Sequence, residues 1–169
     1  MTEIGDAIRE ARAYLTEHPD EARYTDSAAT ARLDSGLRVT VEGPDGAAFT
    51  TDMPTSIGGG AGAPSSGWFM RAAHAACVAT LIAMRAAEEG IELHRLEVTV
   101  DSESDDRGIL GASDDVPAGP LRSRVRIALA ATPPDEARLR DVAEWGWRHC
   151  PVDDAMRRAV PVNVEITTG

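Results

Sequence analysis

The chain contains no lysine, and all 17 of its basic residues are arginine. This absence excludes catalysis through a lysine Schiff base and the phosphate-binding loop that depends on a lysine. Aromatic residues make up only 4% of the 169 positions, so alanine, valine, leucine and isoleucine must build the core. The chain is nevertheless 43% hydrophobic, which is enough for a single domain of this length to bury a core.

Positive charge is scarce relative to negative charge. The chain carries 28 acidic residues and a net charge of −11. No basic patch can dominate such a surface, so we expect neither nucleic acid nor an anionic membrane as a partner. The first six residues lack the basic and apolar regions of a signal peptide, and there are only two cysteines. We therefore expect a cytoplasmic protein whose thiols are not joined permanently.

One long apolar stretch organises the chain. Residues 68–89 contain no glycine or proline and are rich in alanine, leucine and methionine, which are strong helix formers. Ser65 or Ser66 can cap the first free N–H groups, and Gly90 can end the helix with a positive φ. The pattern predicts one long helix.

The interior of this helix is apolar on nearly every side. Between positions 72 and 84 only His74 and Thr80 are polar, which is typical of a helix buried all round. Arginines flank the apolar part, which we judge too short to span a bilayer. Helical spacing places seven side chains on one face: Met70, Ala73, His74, Cys77, Thr80, Leu81 and Met84. A thiol therefore lies in an apolar stripe, with an imidazole one turn before it.

The remaining patterns predict an α+β fold. They predict an amphipathic N-terminal helix ending before Pro19, strands at 28–33, 37–42, 47–51, 96–100 and 121–129, helices opened by Pro134 and Asp135 and by Cys150 and Pro151, and a last strand at 160–166. Turn signals at 34–36 and 43–46 make the first three strands an antiparallel meander. Glu97 and Asp101 would face arginines on the strand opposite.

Three weaker motifs suggest a binding site, but a structural role explains each of them better. The glycines at 58–62 resemble a dinucleotide fingerprint, but residues 64–67 separate them from the helix, which favours a flexible approach loop. The acidic run at 101–106 lacks the glycine and distal glutamate of a calcium loop, so we expect a solvated hairpin end. Two His-Cys pairs, His74 with Cys77 and His149 with Cys150, suggest a zinc site. Because the adjacent residues His149 and Cys150 would point apart, we predict no metal and no cofactor.

Several motifs in this order resemble the OsmC/Ohr family of thiol-dependent hydroperoxide reductases. They are Ala-Ala-His-Ala-Ala-Cys at 72–77 on a long apolar helix, Gly90-Ile91, the strand at 96–100, residues 106–111, Cys150-Pro151-Val152 and Pro161-Val162. The resemblance covers roughly residues 28–167. It divides the chain into an N-terminal helical extension, 1–27, and an OsmC-like domain, 28–169.

The resemblance implies an intertwined homodimer in which antiparallel sheets from both chains pack around long, buried central helices. It implies that Cys77 attacks an organic hydroperoxide and becomes a sulfenic acid, which Cys150 then resolves as a disulfide. An external dithiol would reduce that disulfide. The residues alone suggest the opposite assignment of the attacking thiol. The dipole at a helix start lowers the pKa of a thiol there, which would make Cys150 more acidic than Cys77.

The chain departs from the family at the activating pair, because the glutamate is replaced and no arginine occupies the approach loop at 56–63. Members of the family activate the attacking cysteine with an arginine held by a glutamate about ten residues before it, where this chain has Gly67. Four cationic groups could substitute: Arg32, Arg38, Arg71 and protonated His74. The departure leaves an alternative open, a non-catalytic member with a degenerate site that binds a small apolar ligand.

Overall fold

The computed structural model describes residues 3–133 and 135–169. Along them the chain forms, in order, α1 (Glu3–Glu17), β1 (Thr30–Ser35), β2 (Arg38–Glu42), β3 (Ala48–Thr51), α2 (Ser66–Glu88), β4 (Leu93–Glu103), α3 (Asp106–Ile109), β5 (Arg122–Ala131), α4 (Glu136–Arg148) and α5 (Pro151–Arg157). The predicted α+β class is confirmed, with the N-terminal helix, the meander and the central helix at their predicted places. Pro134, predicted to open α4, lies outside the described residues; Asp135 caps that helix by accepting from the Arg138 amide.

Residues 7–73 form one compact unit, called here the N-terminal unit. Its sheet is the antiparallel meander β1-β2-β3. The turn between β2 and β3 places Asp45 and Gly46 in the left-handed region, with φ of 55° and 78°. This is the conformation that the Asp-Gly signal predicts, since both residue types tolerate positive φ.

The glycine loop before α2 wraps around a carboxylate of its own unit. Asp52 accepts hydrogen bonds from the amides of Gly62 at 2.9 Å, Met53 at 2.7 Å and Gly60 at 3.2 Å. These donors, that of Gly62 first, hold the pKa of Asp52 below its ordinary value. A side chain at Gly59 would meet the Met53 carbonyl oxygen at 1.9 Å, so the loop needs glycine there. The loop amides therefore bind a carboxylate of the chain itself, and the predicted flexibility of the loop stays a prediction.

Residues 74–169, with the first residues of α1, form the C-terminal unit. Its strands β4 and β5 pair antiparallel, and α2, α4 and the residue before α5 contribute the buried residues of the core. That core consists of Val78, Ile82, Ala86, Val142 and Cys150, with partly buried residues of both strands packed against it. Gly146 of α4 approaches Ile82 so closely that an added Cβ would lie 2.7 Å from the Ile82 backbone nitrogen. The cysteine-bearing part of α2 is thereby fixed against the rest of its unit.

Burial of α2 follows one stripe rather than all sides. His74, Val78, Ile82 and Ala86 are buried at helical spacing. The opposite face, made of Ala73, Ala76, Thr80 and Ala83, is exposed in the single chain. The expectation of burial on every side is therefore wrong for one chain taken alone, because β4, β5 and α4 cover one face only.

The length argument against a membrane span is also wrong. α2 has 23 residues, about 34 Å at a rise of ~1.5 Å per residue, and by length and composition it could cross a bilayer. The core helix of a soluble protein passes the same test. The absence of a membrane partner stays a prediction.

Two expectations about strands fail. Asp101 pairs with Arg124 and Arg126 as predicted, but Glu97 lies opposite Ala128 and forms its ion pair with Arg95 of its own strand. No strand forms at 160–166 within the described chain, where that segment is irregular and exposed. Its alternating valines have the pattern of a strand, but a strand also needs a neighbour for its backbone hydrogen bonds.

Candidate active site

Cys77 lies in the middle of α2, where it is half-buried. The helix begins as the sequence predicts, because the Ser65 hydroxyl accepts a hydrogen bond from the Trp68 amide at 3.3 Å. It ends before Gly90, which has a φ of 68°. Leu81 and Met84, on the same predicted face, are also half-buried. The thiol is thus held on a regular helix at the edge of the core.

Cys150 occupies the junction between α4 and α5 and is completely buried. Pro151 follows it at the first position of α5, where a residue without an N–H is tolerated. The Asp153 amide donates a hydrogen bond to the Cys150 sulfur at 3.4 Å. The cysteine therefore caps α5 through its side chain, which fixes the direction of the sulfur.

The fold brings the two cysteines together. The Cys77 thiol lies close enough to Cys150 to raise its pKa, and both are free thiols. Cys77 also packs against the buried cluster that contains Cys150. Two sulfur atoms far apart in the sequence thus meet where α2 and the start of α5 come together.

Their surroundings reverse the expectation about acidity. Burial, and then the hydrogen bond with Cys77, raise the pKa of Cys150 to about 11. The Asp153 amide acts in the opposite direction but does not compensate. The pKa of Cys150 is therefore raised and not lowered as a helix start alone would predict, because removing the thiolate from water outweighs the dipole of a seven-residue helix.

A buried histidine and a buried aspartate lie next to the cysteines. The side chain of His74, one turn before Cys77, is 2% exposed, and its Nε2 lies 3.2 Å from Asp153 Oδ1. At that distance the two groups form an ion pair when His74 is protonated, and neither ring nitrogen has a hydrogen-bond partner among the described residues. The other carboxylate oxygen of Asp153 accepts from Arg157 Nε at 2.6 Å. Arg157 in turn lies over the Trp147 ring, 5.7 Å from its centroid.

His149 turns away from this site. Its ring stacks on Trp145 with centroids 4.0 Å apart, and its Nδ1 lies 2.7 Å from the Trp145 carbonyl oxygen. Among residues 3–133 and 135–169, no group of three or more His, Cys, Asp or Glu side chains is arranged to hold a metal ion. The adjacent residues His149 and Cys150 point to different surroundings, as predicted.

Comparison with known families decides the relationship. The profile of the OsmC-like protein family matches residues 58–165 of the 169, a range that includes both cysteines. The chain belongs to the OsmC-like protein family. No curated protein matches it.

Solved structures with the OsmC-like fold are similar over most of the chain. An OsmC-like protein from Mycoplasma pneumoniae is 15% identical with a TM-score of 0.68, over 81% of this chain and 91% of that one. An organic hydroperoxide resistance protein from Legionella pneumophila is 21% identical with a TM-score of 0.58, over 80% and 91%. Another organic hydroperoxide resistance protein, from Bacillus subtilis, is 22% identical with a TM-score of 0.53, over 85% and 98%. These similarities confirm the predicted OsmC-like fold.

The candidate activating cations divide between the two units. Arg32 pairs with Glu42, and Arg38 lies 3.8 Å from Asp34, so both interact with carboxylates of the N-terminal unit. Arg71 lies at the start of α2, and its Nη1 is 3.8 Å from the position a Cβ would take at Gly67. In the C-terminal unit, His74 lies within ion-pair distance of Asp153. The group that activates Cys77 stays a prediction among these candidates.

Sequence reasoning missed Asp153 and Arg157. The acidic residues after Pro151 indicated a helix start, and the spacing of Asp153 and Arg157, four apart, is that of a helical ion pair. Nothing in the pattern placed the carboxylate beside His74, because that contact joins α2 to α5 through tertiary packing.

Proposed function

We propose that this OsmC-like protein is a thiol-dependent peroxidase that reduces organic hydroperoxides. The proposal rests on one observation, the contact between the thiols of Cys77 and Cys150. The chain has only two cysteines, and two neighbouring thiols can be oxidised to a disulfide when their α-carbons lie within about 7 Å. The names of the Legionella and Bacillus proteins, which share the fold, support the choice of organic hydroperoxides.

The two thiols have different roles in this proposal. Cys77 is half-buried and so open to a substrate, whereas Cys150 is fully buried with a pKa of about 11. As a thiolate, Cys77 attacks the terminal oxygen of the hydroperoxide. The O–O bond breaks, the sulfur keeps the hydroxyl as a sulfenic acid, and the alkoxide leaves and takes up a proton to become the alcohol.

The second step closes the disulfide. The Cys150 thiolate attacks the Cys77 sulfur, the S–O bond breaks, and hydroxide leaves as water after protonation. An external dithiol then reduces the disulfide by thiol–disulfide exchange and is itself oxidised. The proposed cellular location is the cytoplasm, where such reductants keep thiols reduced.

We also propose that the protein acts as a homodimer. In the single chain the Ala73–Ala83 side of α2 and the apolar segment at 160–166 are exposed. Exposed apolar faces of this kind are typical of protein–protein contact surfaces. A second copy of the chain is the occupant that the resemblance implies.

The function is tested by one oxidation experiment. Reduced protein is mixed with one equivalent of an alkyl hydroperoxide, and its thiols and disulfides are then mapped by mass spectrometry. We expect a Cys77–Cys150 disulfide in the wild type, a sulfenic acid on Cys77 in Cys150→Ser, and no peroxide consumption by Cys77→Ser. Equal, slow loss of peroxide with wild type and Cys77→Ser would contradict the proposal.

A non-catalytic, ligand-binding member is the second candidate, favoured by Gly67 in place of the glutamate of the family. It predicts thiols that stay reduced in the same experiment. Rapid alkylation of Cys77 near neutral pH would count against it, because a degenerate site has no reason to keep the thiol reactive.

A further inference from the structure

The proposed disulfide step requires a proton to leave a buried thiol. Burial raises the pKa of Cys150, so its side chain is mostly a protonated thiol at pH 7. The thiolate, not the thiol, is the attacking species. A group close to Cys150 that accepts its proton would therefore accelerate the step.

His74 is a buried group whose bonding is incomplete. Its side chain is 2% exposed, yet both ring nitrogens are without hydrogen-bond partners among the described residues. A buried polar group in this condition costs free energy, so its presence calls for an explanation. It belongs to the same helix as Cys77 and lies one turn before it.

Asp153 connects this histidine to the second cysteine. One of its carboxylate oxygens lies 3.2 Å from His74 Nε2, and its backbone amide donates to the Cys150 sulfur at 3.4 Å. The Arg157 guanidinium, at 2.6 Å, gives the carboxylate a cationic partner on its other oxygen. A neutral imidazole has one ring nitrogen without a proton, and that nitrogen can accept the proton of a thiol.

We propose that His74, oriented by Asp153, accepts the proton of Cys150 when Cys150 attacks Cys77. This inference rests on the proposed function and deepens it. The thiol proton passes to the imidazole while the S–S bond forms and the S–O bond of the sulfenic acid breaks. The imidazolium then gives the proton to the departing hydroxide, so water leaves and His74 returns to its neutral form. Asp153 is the positioning residue of the pair.

A mixed disulfide isolates this step without any peroxide. Dithionitrobenzoate reacts with the accessible Cys77 and releases one thionitrobenzoate anion, leaving the other half attached to the Cys77 sulfur. Cys150 then attacks that sulfur, and the second thionitrobenzoate leaves as the Cys77–Cys150 disulfide forms. Stopped-flow absorbance at pH 7 records two phases, the second of which is absent from Cys150→Ser.

Three variants test the assignment. We expect His74→Asn and Asp153→Asn to slow the second phase at least ~10-fold, in the range of general-base contributions, and to change the first phase less than ~3-fold. His149→Asn is the matched control, because His149 is adjacent to Cys150 but stacks on Trp145. It should leave both phases unchanged.

Each other outcome overturns the inference. A second phase that is equally fast in the variants and the wild type shows that no such proton acceptor is needed. Equal slowing of both phases indicates a packing defect. If His74→Asn does not fold, the test depends on Asp153→Asn, which keeps the shape of the side chain. A wild type without a second phase also contradicts it. A wild type that shows both phases but does not react with an alkyl hydroperoxide overturns only the proposed function.

Discussion

At the scale of single residues, the most informative difference from the family is Gly67. It is exposed in the first turn of α2, and a Cβ there would lie 3.8 Å from Arg71 Nη1. A longer acidic side chain at this position could therefore reach the guanidinium one turn later. The chain keeps an arginine next to the position at which the glutamate of the family is missing.

We predict that Gly67→Glu stabilises the fold and increases the reactivity of Cys77. Replacing a helical glycine gains about 0.5–1 kcal/mol, and an acidic residue in the first turn with an arginine four positions later adds about 0.5 kcal/mol. Chemical denaturation should show a gain of about 1 kcal/mol in the free energy of unfolding. If Arg71 is the activating cation, a carboxylate that holds it should also raise the rate of Cys77 oxidation by an alkyl hydroperoxide.

Gly67→Gln is the control for charge. It has the same length and similar helix propensity, so it should reproduce most of the gain in stability without the gain in rate. Equal oxidation rates for the two variants would show that a carboxylate at this position does not activate Cys77.

The sequence identified both cysteines but not the residues that connect them. Cys77 and Cys150 stand in motifs that local patterns make visible, an apolar helix and a Cys-Pro helix start. Asp153 serves as a helix-start carboxylate in the pattern and as the partner of His74 in the fold. Only the packing of α2 against α5, which no local pattern specifies, decides between these roles.

At the scale of secondary-structure elements, the contact between α2 and α4 depends on one glycine. Gly146 is buried, and an added Cβ would lie 2.5 Å from Ile82 Cγ1 and 2.9 Å from its Cα. Distances below 3.0 Å to backbone atoms cannot be relieved by a side-chain rotation. The two helices approach this closely because no side chain stands between them.

We predict that Gly146→Ala destabilises the protein although alanine is the better helix former. The gain of about 1 kcal/mol in propensity is outweighed by overpacking, which costs about 1–3 kcal/mol and here requires α4 to move away from α2. The net loss in the free energy of unfolding should be about 1–2 kcal/mol by chemical denaturation. Because α4 leads into Cys150, the second phase of the thionitrobenzoate reaction should slow as well.

Gly67→Ala is the matched control, since it replaces a helical glycine at which an added Cβ would have no neighbour closer than 3.8 Å. It should stabilise the protein by about 0.5–1 kcal/mol. If both alanine variants are stabilised alike, α2 and α4 do not pack as closely as the structure indicates.

Elements were predictable where the pattern and its local signals agreed. The meander follows from alternating apolar residues bounded by turn signals, and α2 from uninterrupted helix formers between Ser65 and Gly90. The segment at 160–166 has equally regular alternation but forms no strand in the single chain. Periodicity describes which side chains can share a face; it does not supply the neighbouring strand.

At the scale of the whole molecule, two of the exposed apolar surfaces bear on assembly. One is the face of α2 that the single chain does not cover, formed by Ala73, Ala76, Thr80 and Ala83. The other is the C-terminal segment, in which Val162 is 81% and Ile166 84% exposed. Both would be covered in the proposed homodimer, in which the resemblance places the two long helices together at the centre.

We predict a mass of about 36 kDa in solution by light scattering, twice the 17.9 kDa of one chain. Ala83→Arg should reduce it to that of one chain, because a guanidinium on the exposed face of α2 cannot be desolvated between two helices without a partner. Arginine is nearly as good a helix former as alanine, so the circular dichroism of the variant should still show its helices.

Ser104→Arg adds the same side chain at an exposed position after β4 and should remain at the mass of the wild type. A wild type of 17.9 kDa at micromolar concentration would contradict the dimer itself. An Ala83→Arg protein that keeps the double mass would contradict only the pairing through α2. In that case the C-terminal segment is the alternative contact, and Val162→Asp should be the substitution that separates the chains, because it places a charge in a strand-like row of apolar side chains.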